Sequence, residues 1–362
     1  MAKYHIEPLL PITIRKIEPK TMNILMTSVF FYPHIGGIET VTEYLADEFT
    51  RMGHHVTVVT RTSEVGEKTF PYKVLRQPSK RELWKVYKDC EVFVHQGISL
   101  NWVWPLFLKR KPWFVVYHQV YYQPGILGKL KKLCSFFSHN IAVSDTTAKG
   151  YGLKDVAVIY NSFNSQYYHN GKNINKRDGI VYVGKVTKGK GVDILIEGFN
   201  LFKKKTSSSM KLTIVGGNNM QHEYDILKNQ ATNSEYAKDI IFTGFKQPME
   251  INEILNRNKI QVVPSVAAEA FGLVVLEGLA CGCRMVGSDG DGIAEAMHGC
   301  GHLFKKGDSK DLCEKLILSD LQTDEDYNII RKKAEQWLDH LCLRKVAERY
   351  IQEFDRQVSS HR

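Results

Sequence analysis

Several features that would fix a protein class at once are missing from this chain of 362 residues. No uninterrupted apolar run reaches the roughly 18–20 residues of a membrane-spanning helix. The longest greasy stretch, Ile260 to Ala280, is broken by Pro264, Glu269 and Glu277. No secretory signal opens the chain, because residues 1–21 mix Pro, Lys, Arg and Glu without an apolar centre. These two absences predict a cytoplasmic protein. Cysteine is scarce and odd in number, seven, with no Cys-x-x-Cys pair; Cys281 and Cys283 have one residue between them. A disulfide framework or a zinc site is thereby disfavoured, and reduced thiols are expected. No nucleic-acid-binding signature occurs, so nucleic acid is not expected as a partner.

What is present fits a globular protein of two domains. The length exceeds one ordinary core and suits two domains of about 150–200 residues. Hydrophobic residues make up 43% and charged residues 24%, outside the range of disordered chains. The net charge of +10 is uneven: residues 1–165 hold 21 Lys+Arg against 13 Asp+Glu, the rest 28 against 26. A basic first half points to an anionic membrane surface or an anionic acceptor.

The pattern of apolar residues predicts an α/β fold. Met22 to Ser28 reads as a buried parallel strand. A loop with Pro33, Gly36 and Gly37 follows, then Val41, Tyr44, Leu45 and Phe49 at helical spacing, then the strand Val56–Thr60. This is the opening of a doubly wound, Rossmann-like domain. Further strands are expected at Glu91–Val94, Phe114–Tyr117, Asn140–Val143 and Val156–Ile159. The Asn-rich stretch Asn161–Asp178 lacks apolar periodicity, with a linker at 166–178. The pattern then restarts with a strand at Ile180–Val183, a basic glycine turn, a helix at Val192–Phe202 and a strand at Leu212–Val215. More strands follow at Ile240–Phe242, Ile260–Val263 and Met285–Val286, and a helical segment spans about Glu325–Gln357. The expected organisation is an extension at 1–21, one Rossmann-like domain at 22–165, a second at 179–342, and a helix at 343–362 returning to the first domain.

The chemistry concentrates in two places. In Pro264-Ser-Val-Ala-Ala-Glu-Ala-Phe-Gly-Leu-Val-Val-Leu-Glu277 a strand ends, a short loop follows, and a helix should begin near Leu273. Phe271, Gly272 and Leu273 would offer backbone N–H groups at a positive helix end, an anion site suited to a diphosphate. Glu277 lies one turn further along, placed to accept hydrogen bonds from ribose hydroxyls. Glu269 precedes the loop, where a sugar would hang from the other end. In Val183-Gly-Lys-Val-Thr-Lys-Gly-Lys-Gly191, Lys185, Lys188 and Lys190 cluster with three glycines just after a strand. Lys185 and Lys190 could stabilise charge on a leaving diphosphate; the alternative, a solvated basic turn, fits Lys188 better. The turn lacks the full P-loop pattern, and the Gly36-Gly37 loop is not G-x-G-x-x-G, which disfavours a nicotinamide enzyme.

Two glutamates seven residues apart around Phe-Gly resemble the signature of the family-4 retaining glycosyltransferases of GT-B fold, the glycosyl transferases group 1. The likeness extends over nearly the whole chain after Met22. Pro33-His-Ile-Gly-Gly-Ile-Glu39 is similar to the family's early glycine loop, and Gly53-His-His-Val-Thr-Val-Val to its second strand. Val158-Ile-Tyr-Asn-Ser-Phe-Asn164 resembles the stretch leading into the linker. Lys185 stands at the family's arginine position and Lys190 at its lysine position. The resemblance implies two Rossmann-like domains facing each other across a cleft. It also implies a nucleotide diphosphate sugar donor and retention of anomeric configuration. Lys185 and Lys190 would hold the diphosphate, Glu269 would lie near the transferred sugar and Glu277 would bind ribose. His95 and His118 each close a strand whose end should face the cleft; the family places a histidine at the later of these positions, which implies sugar contact for His118. Gly37 lets the donor approach the backbone before a helix. The catalytic candidates are thus His118, Glu269, Lys190 and Lys185. Those for the donor are Gly37, Lys185, Lys190, Phe271, Gly272, Leu273 and Glu277.

The sequence departs from the pattern in places. Lys185 for arginine loses the planar fork, Ser162 replaces a common glycine, and Asp291-Gly292-Ile-Ala-Glu295 carries Asp where the family has Gly. Asp291 is expected to face away from the diphosphate or to read the sugar. Asp289-Gly-Asp291 spells D-x-D without supporting ligands, so neither metal nor other cofactor is expected. Gly125–Phe137 is a basic amphipathic helix, with Leu127, Leu130, Leu133, Cys134 and Phe137 on one face and Lys129, Lys131 and Lys132 apart from it. It either packs on its own sheet or meets anionic lipid, with Trp102, Trp104 and Lys109–Lys111 as an extension. The acceptor is expected to be a carbohydrate or a lipid-linked glycan in surface polysaccharide assembly, with the protein peripheral on the inner membrane face. The rivals are a nucleotide-sugar epimerase, which would need no acceptor, and a non-catalytic nucleotide-sugar-binding protein, which would turn nothing over.

Overall fold

A computed structural model of the chain describes residues 21–121, 125–152, 155–217 and 221–360. The extension expected at residues 1–21 falls, but for Thr21, outside them. The first sheet holds β1 (Asn23–Ser28), β2 (His55–Thr60), β3 (Lys73–Arg76), β4 (Val92–Gln96), β5 (Trp113–Tyr117), β6 (His139–Ala142) and β7 (Val156–Val158). Their order is β3-β2-β1-β4-β5-β6-β7, and the paired strands are parallel. The second sheet holds β8 (Ile180–Val183), β9 (Leu212–Val215), β10 (Ile240–Gly244), β11 (Ile260–Val263), β12 (Arg284–Ser288) and β13 (His302–Phe304), in the order β10-β9-β8-β11-β12-β13. Every residue of β4, β5, β8, β11 and β12 is buried, as expected where crossover helices cover both faces.

The crossovers of the first domain are α1 (Gly37–Arg51), α2 (Lys80–Asp89), α3 (Pro105–Leu108), α4 (Ile126–Ser135) and α5 (Asp145–Tyr151). The second domain carries α6 (Val192–Thr206), α7 (Gln221–Thr232), α8 (Pro248–Arg257), α9 (Leu273–Ala280), α10 (Asp291–Met297), α11 (Ser309–Leu321) and α12 (Asp324–His340). The chain closes with α13 (Leu343–Ser360). The single helical segment expected over 325–357 is therefore two helices, broken at Leu341–Cys342 by a short bridge between Cys342 and Phe163. The edge strands β3 and β13 went unanticipated. Both are short and only partly buried, so neither leaves the continuous apolar run that marks a central strand.

Strand order reverses between β1 and β4 in one sheet and between β8 and β11 in the other. In open parallel sheets such switch points leave a crevice at the carboxyl ends of the strands. The candidate residues follow these strands. Gly36 and Gly37 come after β1, Gln96 ends β4, Lys185 to Lys190 come after β8, and Ser265 to Glu269 after β11.

The domains are not loosely tethered. One apolar cluster runs from Phe49, Phe114 and Ile141 through Phe271 and Leu276 to Leu338 and Phe354. Helix α13 lies on α1, with the Phe354 ring 5.9 Å from Phe49 and 4.7 Å from Phe114. Such buried aromatics typically cost about 3–5 kcal/mol to truncate. The Asn-rich connection is pinned too. Buried Arg177 donates to the Asn170 side chain at 2.6 Å, the Lys172 carbonyl at 2.7 Å and the Asn256 side chain at 3.2 Å. All seven cysteines are free thiols, Cys134 and Cys342 being the partly exposed ones.

Candidate active site

The basic turn and the acidic loop are interlocked by glycine. Gly191 has φ +71°, and a Cβ there would lie 1.9 Å from the Pro264 carbonyl oxygen; only glycine permits that approach. The Gly189 carbonyl accepts from the N–H of Val266 at 3.0 Å and of Ala267 at 2.8 Å. This docking sets the Lys190 ammonium on Glu269 Oε1 as an ion pair. Ser265, itself buried, donates its hydroxyl to the same oxygen at 2.9 Å. Lys185 and Lys188 stand exposed on the turn. The Lys185 carbonyl accepts from the Tyr182 hydroxyl at 2.6 Å, and the Lys188 N–H donates to Glu223 Oε1 at 3.0 Å. The structure thus joins Glu269 to Lys190, and gives Lys185 a backbone anchor instead.

Beyond this pair, α9 opens at Leu273, with Gly272 ahead of it at φ +86°. The N–H groups of a helix's first turn have no acceptor within the helix. The opposing wall is the start of α1, where a Cβ on Gly37 would lie 3.9 Å from Leu273 Cδ1. Two helix N-termini, one from each domain, therefore meet across the crevice, and both favour negative charge. The Phe271 ring is buried and stacked on Tyr160, 5.4 Å between centroids at 16°. Its contribution to an anion site is its backbone, while the ring seals the domain seam. Glu277 lies half-buried one turn into α9. Burial pushes its carboxyl up to about 7, opposed by a hydrogen bond from the Tyr168 hydroxyl.

On the first domain, His118 Nε2 lies 2.6 Å from Gln96 Oε1. The ring is only half-buried by exposed surface, yet the dense surroundings of the β5 end lower its pKa to about 4. It is neutral at ordinary pH, so Nε2 carries the proton donated to Gln96 and Nδ1 is an acceptor. His95 is different: it is fully buried edge-on between Phe93 and Trp113, and burial pushes it down to about 3. The alternation of β4 turns His95 into the core and Gln96 the other way, so His95 does not face the crevice, contrary to expectation.

Two family models tile the chain. Residues 35–167 match the Glycosyltransferase Family 4 model and residues 166–337 the Glycosyl transferases group 1 model. The chain belongs to the family-4 glycosyltransferases. Its architecture matches solved GT-B structures over nearly their whole length. A glycosyltransferase from Rickettsia africae superposes at TM-score 0.77 with 16% identity, covering 93% of this chain and 99% of that one. Anabaena HepE in complex with UDP and glucose gives 0.76 with 18% identity, covering 92% and 99%. Among curated relatives, the lipopolysaccharide 1,2-N-acetylglucosaminetransferase of Salmonella typhimurium is 24% identical, over 39% of this chain and 40% of its own length. The N,N'-diacetylbacillosaminyl-diphospho-undecaprenol alpha-1,3-N-acetylgalactosaminyltransferase of Campylobacter jejuni is 28% identical, over 58% and 54%. The chain spans about half the length of the curated relatives it matches.

For a family-4 glycosyltransferase, the departure at Asp291 has a local answer. Asp291, at φ +51°, is ion-paired with Lys306, so its carboxylate meets a cation from the loop after β13. Glu295, on the same helix, reaches across the seam. Its two oxygens accept from the N–H of Asp145 at 2.6 Å and of Thr146 at 3.1 Å, at the start of α5. Ser144 beside them donates to the Ala270 carbonyl. Gln96, Ser265, Lys306 and the bridging role of Glu295 escaped the sequence reading. Pro-Ser beside the acidic motif was visible but carried no charge to draw notice, and the other three act through contacts distant in sequence. The expected extension of the basic helix is corrected at two residues, while Lys109 and Arg110 stand exposed. Trp102 is buried, and Lys111 donates to the Lys88 carbonyl at 2.6 Å with its ammonium over the Tyr87 ring. Among the described residues no helix is long and apolar enough to cross a membrane.

Proposed function

We propose that this protein is a retaining glycosyltransferase that moves a sugar from a nucleotide diphosphate donor to an acceptor in the crevice between its domains. The observation that carries this reading is the Lys190–Glu269–Ser265 cluster facing two convergent helix N-termini. Lys190, Lys185 and the backbone N–H groups of Phe271, Gly272 and Leu273 would hold the diphosphate beside Gly37. Glu277 would take the ribose. As the bond from the sugar's anomeric carbon to the diphosphate oxygen breaks, negative charge grows on that oxygen beside Lys190. The acceptor hydroxyl then bonds to the anomeric carbon on the face the diphosphate leaves, and its proton passes to the departing phosphate oxygen. His118 and Glu269 would position the sugar. No metal is needed in this scheme, because cations and helix ends meet the charge; Lys306 already engages Asp291, one acid of the D-x-D sequence.

For the acceptor we infer a carbohydrate, in the first instance a lipid-linked glycan of surface polysaccharide assembly. The basic first half of the chain supports this, as do the lipopolysaccharide and diphospho-undecaprenol named in its relatives. Such an acceptor would bring a cytoplasmic protein to the inner face of the cell membrane. The test is a screen of UDP-, GDP- and ADP-sugars scored for binding and for slow donor hydrolysis. Activity should survive EDTA, and the anomeric configuration of the product, read by NMR, should equal that of the donor. An inverted product, or turnover restored only by Mg²⁺ or Mn²⁺, overturns the corresponding part.

A further inference from the structure

Helix α4 is built inside out. Its buried residues are the small Gly128 and Ser135, and Cys134 touches the core beneath. Its large apolar side chains point outward, with Ile126 77% exposed and Leu127 62%. Leu133, and Phe136 and Phe137 just past the helix end, are exposed as well. Leu106 of α3 packs on the same core cluster as Cys134, so the two helices cover the same face of the sheet, and Phe107 of α3 is 84% exposed. Burial alone selects the opposite arrangement, and large apolar side chains gathered outward on one helix mark a partner.

The charge around it narrows the partner. From residue 92 to residue 144 the chain holds no Asp or Glu, while Lys129, Lys131 and Lys132 lie on α4 itself. A second copy of α4 would set lysines against lysines, with no carboxylate on α3 or α4 to meet them. A nucleic acid or an acidic glycan would satisfy the lysines and leave the phenylalanines in water. A bilayer bearing anionic headgroups satisfies both. We infer that the outer face of α3 and α4 is a docking surface for an anionic lipid bilayer, with Phe107, Phe136 and Phe137 entering the acyl boundary and the α4 lysines meeting the headgroups. Helix α4 begins eight residues after His118, which follows the carboxyl end of β5. A lipid-linked acceptor could thus keep its tail in the bilayer while its head group enters the crevice. The inference rests on the proposed function only for that use of the surface.

Co-sedimentation with phosphatidylglycerol vesicles and with phosphatidylcholine vesicles, at low and high salt, tests it. The wild-type chain should partition onto the anionic vesicles at low salt and weakly or not at all onto the zwitterionic ones. The triple variant Lys129→Gln, Lys131→Gln, Lys132→Gln should bind roughly 100-fold more weakly, at about 1 kcal/mol for each lysine. The double variant Phe136→Ser, Phe137→Ser should also weaken binding, and its loss should persist at high salt. These side chains are exposed, so circular dichroism and the melting midpoint should not change. Should the double variant melt early, Ile126→Ser at the exposed start of α4 carries the apolar arm. Donor hydrolysis measured without vesicles should be equal in all variants, which separates this surface from catalysis. The inference is overturned by a wild type that ignores phosphatidylglycerol, or by binding that neither set of substitutions weakens. It is equally overturned by a heparin-binding surface indifferent to the phenylalanines, or by a dimer in sedimentation that the phenylalanine variant dissolves.

Discussion

At the scale of single residues, the two pKa shifts in the crevice have opposite consequences. Burial holds the His118 imidazole near 4, and a neutral ring donating to Gln96 leaves Nδ1 free of a proton. Gln96→Glu places a carboxylate where the amide oxygen now sits 2.6 Å from Nε2. An opposite charge at that range typically raises a pKa by about 1–3 units. The His118 proton resonance should then titrate between about pH 5 and 7, and turnover should acquire a new acid limb at the same midpoint. A resonance that still titrates near 4 would mean the two side chains do not share the proton. Glu277 is the converse case, an acid held up to about 7. The folded protein binds this proton more tightly than the unfolded chain, so the stability it confers is complete below about pH 4.5 and is lost as pH rises through 7. Glu277→Gln should therefore be the more stable protein at pH 8, by up to about 3 kcal/mol, and should lose that advantage at pH 4.5. Denaturant titrations at the two pH values decide this. The same carboxyl accepts ribose hydroxyls best when ionised, so nucleoside diphosphate affinity should rise from pH 6 to 8 more steeply in the wild type than in Glu277→Gln.

At the scale of elements, the site is two loops held in register by close backbone contacts. Lys190→Ala should lower turnover about 100–1,000-fold, as removal of one preorganised group facing a developing charge typically does. Lys188→Ala on the same turn should cost little, because the Lys188 backbone rather than its ammonium makes the contact with Glu223. Equal, small losses in steady-state kinetics would reduce the turn to a solvated basic surface. Gly191→Ala should do more than either, since its Cβ would lie 1.9 Å from the Pro264 oxygen. It should lower the melting midpoint and separate Lys190 from Glu269. Much of this level was legible in the sequence. Central strands such as Ile180–Val183 and Ile260–Val263 announce themselves as apolar runs, and the acidic motif carries its own helix start at Leu273. The Gly189 and Gly191 contacts with the 264–267 loop were not legible, because a glycine's neighbour is fixed by packing and not by adjacency in the chain. The edge strand Lys73–Arg76 was hidden for a related reason: half its surroundings are water, so its composition is that of a loop. Helix α4 was legible as amphipathic, but its direction was not, since periodicity gives a face without saying which way it points.

At the scale of the whole molecule, the question is what holds the two domains closed. The seam has an apolar part, the Tyr160–Phe271 stack and its cluster, and a polar part centred on Glu295. The stack contributes about 0.5–1.5 kcal/mol beyond its buried area and is indifferent to direction. Glu295 is directional, since its two oxygens meet the N–H groups of Asp145 and Thr146 only when α10 and α5 are aligned. Opening the crevice breaks both bonds and returns the groups to water, so their net worth in the closed form is about 1–3 kcal/mol together, charge-assisted as they are. That corresponds to roughly a 5- to 150-fold bias toward closure. Glu295→Ala removes the bias without touching the Lys190–Glu269 pair. Nucleoside diphosphate binding, which draws mainly on the second domain, should change little. Transfer to the acceptor needs both domains in contact and should fall, while hydrolysis of the donor should gain in proportion as water enters. Small-angle scattering should register a more extended average shape for the variant. A Glu295→Ala protein with wild-type scattering and a wild-type ratio of hydrolysis to transfer would show that the apolar seam alone sets the closed state, and that Glu295 merely caps a short helix.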